Sequence, residues 1–402
     1  MNKLYFRLNM TKEYDALKKH SKEYFGVAID AQVFSSFKNS ISLFILSLEK
    51  PFFVDPVFYK FTYQNYSNIS EKRWASDLSS KYGIDSLLQT YGEGVQVSRI
   101  SEGLLVQITR GVLDFQRNCV ADVISEAMRM EELIGKRSDY KIPYPEFLLP
   151  PYFIVTNEED INTNLKFIDE ALRQKVDNEK VYAPIALDHD LFLDNEFVEK
   201  VTAQYSSKSV DGFAIWITDL REFLSDSAFL KSFVAFTSKL KKSNKEKEVL
   251  NLFGGFFSLI LSCHGLLDGI AQGIGISEFK DPDLVVSGGR PRYYVPILRQ
   301  TLSLDAAADL YTASSKIFSC RCGVCRGNRS PASLDSKELD EHFVLSRLSD
   351  IEFLKSNTLN NIARKLDDDR AILENVNDQR VNGLLSRFID RLSVWSRAIR
   401  DI

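Results

Sequence analysis

Three of the chain's five cysteines fall within six positions, Cys320, Cys322 and Cys325 in "SCRCGVC", and His342 follows after sixteen intervening residues. A thiolate is a soft ligand, and four nitrogen or sulfur ligands at the corners of a tetrahedron make a closed structural zinc site. The three sulfurs share a tight loop punctuated by Gly323. Asp335 followed by Glu338 has the form of a capping box, which sets His342 early in a helix. Four protein ligands leave no open position, so the ion would be structural, not catalytic. The alternative is three free thiols and a surface histidine.

Carboxylates and aromatics close several apolar runs. Asp55 ends "KPFFVD", where it could manage protons or merely shape a turn. Asp188 and His189 follow "VYAPIAL" and could hydrogen-bond the edge of a ligand at a pocket mouth, although a lone histidine is more often structural. Tyr152, Phe153 and Trp216 stand at run ends and could sandwich a planar ligand, although such aromatics more often belong to a core. Basic residues gather around the cysteines. Arg290, Arg292, Arg299, Lys316, Arg321, Arg326 and Arg329 face only Asp305 and Asp309 over residues 290–330. That strip either contacts phosphates or is a solvated loop surface.

The elements that must position these residues are apolar runs alternating with amphipathic stretches. The runs are "YFGVAID", "KPFFVDP", "EFLLPPYFIV", "VYAPIAL", "VDGFAIW", "VLNLFGG" and "LLDGIAQG". Continuous apolar runs suit strands covered on both faces, and their alternation with helices implies parallel βαβ units. The spacing predicts an α/β fold, a TIM (β/α)8 barrel over residues 1–290. A zinc-binding subdomain over 291–345 follows, then C-terminal helices over 346–402. Leu384, Phe388, Leu392, Trp395 and Ile399 recur at helical spacing in that last part. A net charge of -4 excludes a polycation, so any nucleic-acid surface must be local. The longest apolar run, Gly254–Cys263, is too short to span a bilayer, and the N-terminus shows no secretory h-region. The expectation is a cytoplasmic protein with no membrane contact.

An α/β barrel followed by C-x-C-x2-C and a later histidine resembles the tRNA-guanine transglycosylase superfamily. "KPFFVDPVFYKF" is similar to the family strand ending in Asp-Ser-Gly-Gly-Phe, and "VDGFAIWITDL" to its Asp-Gly-Tyr-Ala-Val-Gly-Gly segment. "LLDGIAQGIGISEFKD" and "SGGRPRYYVP" look like divergent relatives found with DNA modification and antiphage systems. The resemblance implies exchange of guanine for a 7-deazaguanine in DNA or tRNA through a glycosyl-enzyme ester. It implies that Asp55 is one catalytic carboxylate, and that the nucleophile, at the end of the last strand, is Asp268 in one register or Glu278 in another. It also implies structural zinc, a nucleic-acid partner, and either a homodimer or a heteromeric partner. The competing expectation is a catalytically inactive homologue that binds a partner or nucleic acid. An unrelated zinc-dependent nucleic-acid binder is the third.

Overall fold

The computed structural model describes residues 3–9, 11–62, 65–91, 93–133, 140–243, 245–275, 280, 291–318, 320–326 and 329–402. Its centre is a curled sheet of seven parallel strands. They are β1 (Lys3–Leu8), β2 (Gly26–Asp30), β3 (Phe52–Asp55), β4 (Tyr182–Leu187), β5 (Gly212–Ile217), β6 (Glu248–Asn251) and β7 (Gly269–Gly273). The order across the sheet is β3-β2-β1-β7-β6-β5-β4. Parallel neighbours need crossovers, and helices such as Ala31–Leu48, Asn195–Ser206, Ser227–Ser243 and Phe256–Cys263 supply them. Strands β2, β3, β4, β5 and β7 are buried at every position, as their unbroken apolar runs require.

The two edge strands approach one another. The Phe147 ring stacks on Phe53 of β3 at 4.6 Å and on Tyr182 of β4 at 4.1 Å, and Tyr5 of β1 meets Phe53 edge-on. One aromatic side chain therefore spans the distance between opposite ends of the sheet order, which requires strong curling. Gly26 serves the same packing, because a Cβ there would lie 2.2 Å from the Pro51 carbonyl oxygen. The chain from Glu146 to Val155 lies extended between the two edges. Glu146 N–H donates to the Phe52 carbonyl of β3 at 2.7 Å. On the other side, Tyr182 N–H donates to Leu148 O at 3.0 Å and Val155 N–H to Ala186 O at 2.8 Å.

This stretch reads in sequence as a strand, yet only single bridges form, at Leu148 and Val155. Pro150 and Pro151 explain the difference, since neither has an N–H to give to a ladder. Side chains replace the missing partners. The Gln116 amide donates to Leu149 O at 2.7 Å and accepts from Leu149 N–H at 2.9 Å. The Asn164 amide does the same for Phe153, at 2.9 and 2.8 Å.

β1 is absent from the apolar runs because Lys3 and Arg7 interrupt "KLYFRL". It is nevertheless the central strand of the sheet. The chain ends in helices Ser336–Ser356, Leu359–Glu374 and Asn382–Arg400, where Phe388, Leu392, Trp395 and Ile399 are buried as their spacing requires. The Trp395 indole N–H donates to Glu222 O at 3.1 Å, fastening the last helix to the loop after β5. No helix among the described residues is long and apolar enough to cross a membrane.

Gln116→Leu and Asn164→Leu each strip a buried N–H and a buried carbonyl of their partners. Each should cost about 2–5 kcal/mol, read as a lower urea midpoint at unchanged m-value.

Candidate functional site

The cysteine cluster forms after a small antiparallel hairpin, β8 (Arg292–Val295) and β9 (Gln300–Ser303). Asp335 and Glu338 make the expected capping box, which starts helix Ser336–Ser356 and places His342 in its second turn. The ligand atoms of Cys320, Cys322, Cys325 and His342 all lie within 4.8 Å of one another, an arrangement compatible with a metal ion. His342 Nδ1 is 3.8, 3.4 and 3.3 Å from the three sulfurs in chain order. Bond lengths at a tetrahedral zinc centre put nitrogen and sulfur about 3.6 Å apart, so the donor set fits that ion.

The surroundings support the fit. His342 Nε2 lies 2.7 Å from the Tyr294 carbonyl, which fixes the tautomer and leaves Nδ1 to ligate. The Tyr293 ring stacks on His342 at 4.3 Å, and its hydroxyl is 3.3 Å from Cys325 Sγ. Backbone N–H groups of Cys322 and Cys325 donate to Cys320 Sγ and Cys322 Sγ.

A second cluster lies where β1, β2 and β3 end. Asp55 is the last residue of β3 and is fully buried. Its Oδ1 accepts from the Tyr152 hydroxyl at 2.8 Å and from Val57 N–H at 3.0 Å. Its Oδ2 is 3.4 Å from Arg7 Nη1, and the same Nη1 donates to Asp30 at the end of β2. Arg7 Nη2 reaches Leu252 O at 3.0 Å, beyond β6, while the guanidinium rests 4.0 Å over the Phe253 ring. Lys280 Nζ donates to Asp30 Oδ2 at 2.8 Å and lies over Phe253 and Tyr59. Trp216 completes the wall, 4.8 Å from Tyr59 and 5.3 Å from Phe253 between ring centres.

The electrostatics follow from burial and these partners. Burial works to raise the Asp30 carboxyl, but Lys280, Arg7 and Lys60 outweigh it and hold it below the usual carboxylate range. Burial, with Lys280 nearby, pushes the Lys60 ammonium down to about 7. Burial, reinforced by Asp30 and Asp55, drives the Tyr59 hydroxyl well above its ordinary value. The Tyr59 hydroxyl and the Trp216 Nε1 are buried without a hydrogen-bond partner among the described residues. Such atoms are uncommon in native interiors.

Asp55 and Tyr152 are hydrogen-bonded, and Trp216 reaches them only through the Tyr59 ring, 5.7 Å from that of Tyr152. Phe153 does not join them, packing instead against Phe58 and Phe167. The His189 ring stacks on Phe229 and its backbone N–H donates to the Thr218 hydroxyl, while the Asp188 carboxylate accepts from Asp190 N–H. Both turn their bonds toward the local loop. Asp268 is a clear correction. It precedes the first residue of β7, at the opposite end of the parallel sheet from Asp55. There it binds Lys241 at 2.7 Å and Val249 N–H, and so serves as a strand-start anchor. Glu278 and Arg290 lie outside the described residues. Arg292, Arg321 and Arg326 are exposed, and Arg329 pairs with Glu338. Arg299 leaves the basic strip altogether, buried against Asp350 and Asp369.

Sequence reasoning missed Arg7, Asp30, Tyr59, Lys60 and Lys280. A signal was present for two of them. Asp30 closes "YFGVAID" just as Asp55 closes the next run, and Tyr59 lies four residues past Asp55. No protein-family model matches the chain, and no curated protein matches its sequence at a significant level.

Asp30 is ionised more readily in the folded chain than in the unfolded one, where a free aspartate titrates near about 4. Its contribution is therefore present above about pH 4 and lost as pH falls through the lower folded value. Urea unfolding from about pH 7 to about pH 3 should show wild type losing stability in acid more steeply than Asp30→Asn.

Proposed function

We propose that the chain is a transglycosylase that exchanges guanine in DNA or tRNA for a 7-deazaguanine. In this reading the seven strands and the 146–155 stretch close an eight-stranded (β/α)8 barrel whose mouth lies at the strand C-terminal ends. Catalytic groups of such barrels stand at that face. The observation that carries the reading is Asp55 at the end of β3, oriented by Tyr152 and Arg7 beside unpartnered polar atoms of Tyr59 and Trp216. Flat aromatic walls next to a carboxylate suit a planar purine attached to a sugar.

The chain's own residues divide the work. Tyr59 and Trp216 offer a hydroxyl and an indole N–H to the edge of the base. Asp55 holds or releases a proton for the leaving and incoming bases, with Tyr152 fixing its Oδ1. The Cys320, Cys322, Cys325 and His342 set would hold one structural zinc, whose role is to lock the loop that carries Arg321 and Arg326. Those exposed arginines, with Arg292, would meet backbone phosphates.

A second reading is an inactive homologue that binds a partner or a nucleic acid. The position of Asp268 favours it, together with the lack of any carboxylate in β7 or in the two described residues that follow it.

The purified protein should carry about one zinc per chain by elemental analysis. Cys322→Ser should lower the zinc content and the melting temperature together, because ligand loss removes folding free energy.

Incubated with radiolabelled guanine and bulk tRNA or genomic DNA, wild type should incorporate label. Asp55→Asn should reduce incorporation by more than about 100-fold at unchanged zinc content. Absence of incorporation into either nucleic acid would favour the inactive homologue.

A further inference from the structure

Among the described residues the base-exchange reading lacks its expected nucleophile, because Asp268 is at the wrong end of the sheet. We infer that Asp30 is that nucleophile, paired with Asp55 across neighbouring strands. The inference rests on the base-exchange reading.

Register supplies the first argument. Asp30 and Asp55 are partner positions in the β2–β3 ladder. Partners on adjacent strands point to the same face and stand about 4.8 Å apart. Arg7 supplies the second. One Nη1 touches both carboxylates, which holds the bridging oxygens less than about 6 Å apart. Retaining glycosyl transfer wants two carboxyl groups about 5 Å apart, whereas inverting pairs are spread wider to admit a water. The spacing therefore suits a covalent glycosyl intermediate.

Environment distinguishes the two roles. Asp30 has two cations on separate oxygens, Arg7 on Oδ1 and Lys280 on Oδ2. A nucleophilic carboxylate must be ionised before it attacks, and this pair of contacts keeps it so. Asp55 instead accepts from a phenol and a backbone amide, and among the described residues its one cationic hydrogen-bond contact is the longer one to Arg7, at 3.4 Å. Accessibility points the same way. Asp30 retains 7% exposure, while Asp55 has none. The Tyr59 hydroxyl feels the charge of both carboxylates, and its ring lies 4.8 Å from that of Trp216.

The chemistry balances as a double displacement. An Asp30 carboxylate oxygen forms a bond to C1′ of the nucleotide as the C1′–N9 bond breaks. The electron pair of that bond goes to guanine N9, and a proton delivered through Asp55 completes the departing base. The incoming 7-deazaguanine, its ring N–H deprotonated by Asp55, then attacks C1′. The ester C–O bond breaks, its electron pair returns to Asp30, and the carboxylate is restored. No oxidant, reductant or further co-reactant is consumed.

Wild-type protein is incubated with bulk tRNA or genomic DNA without free base, denatured and digested with nuclease and protease. Mass spectrometry of the peptides should find a nucleotide remnant esterified to Asp30. Asp30→Asn should form no adduct and lose more than about 100-fold in guanine incorporation. Peptide mapping on wild type decides the case even if that variant folds poorly. A remnant on any other residue, or incorporation undiminished by Asp30→Asn, overturns the assignment to Asp30 and leaves base exchange standing. Neither adduct nor incorporation with wild type overturns both.

Discussion

The guanidinium of Arg7 is buried inside a parallel sheet, and the arrangement of the strand ends follows from that constraint. An unpaired charge at such a depth costs several kcal/mol, so partners must be built around it. Asp30 from β2, Asp55 from β3 and the Leu252 carbonyl beyond β6 supply them, and the Phe253 ring covers one face of the cation. One residue of the central strand thereby ties the ends of β1, β2 and β3 to the turn after β6. A buried ion cluster is seldom more stabilising than well-packed apolar side chains of the same volume. Its presence at the strand C-terminal ends, where α/β sheets carry their chemistry, speaks for a role in function over one in stability.

A second buried network joins the cysteine cluster to the C-terminal helices. His342 is held by the Tyr294 carbonyl, while the Tyr294 hydroxyl donates to Asp350 and accepts from Arg347. Arg299 then bridges Asp350 and Asp369, linking the turn between β8 and β9 to helices Ser336–Ser356 and Leu359–Glu374. Farther along, Trp395 binds the Glu222 carbonyl, and the Glu222 carboxylate accepts from the N–H groups of Gly255, Phe257 and Ser258. The start of helix Phe256–Cys263 is thus capped by a loop that the last helix holds in place.

Local pattern made much of this legible. The cluster of Cys320, Cys322, Cys325 and His342, the capping box and the final helix follow from residue type and spacing over short distances, and the structure has all three. The apolar runs ending in Asp30, Asp55, Leu187 and Trp216 became parallel strands because strands covered on both faces have no polar positions to mark. Two segments depart from the apolar pattern for opposite reasons. "KLYFRL" carries charges that hide a strand, yet Arg7 is satisfied by residues 23 and 48 positions away. "EFLLPPYFIV" is apolar enough for a strand, yet its prolines leave it dependent on the side chains of Gln116 and Asn164.

What the sequence determined by itself was therefore the set of short-range devices: ligand spacing, helix caps, apolar periodicity and the aspartates that close two strands. Tertiary structure decided which charges share a site. Sheet order brings β1 between β2 and β7, so Arg7 meets Asp30 and Asp55, and the chain returning after β7 delivers Lys280 to Asp30. The same order sends Asp268 to the far end, because a residue that starts a parallel strand cannot stand beside one that finishes its neighbour. The cost of burying a charge is met by whichever opposite charge the folded chain brings within a few ångströms. Separation along the chain carries no trace of that distance.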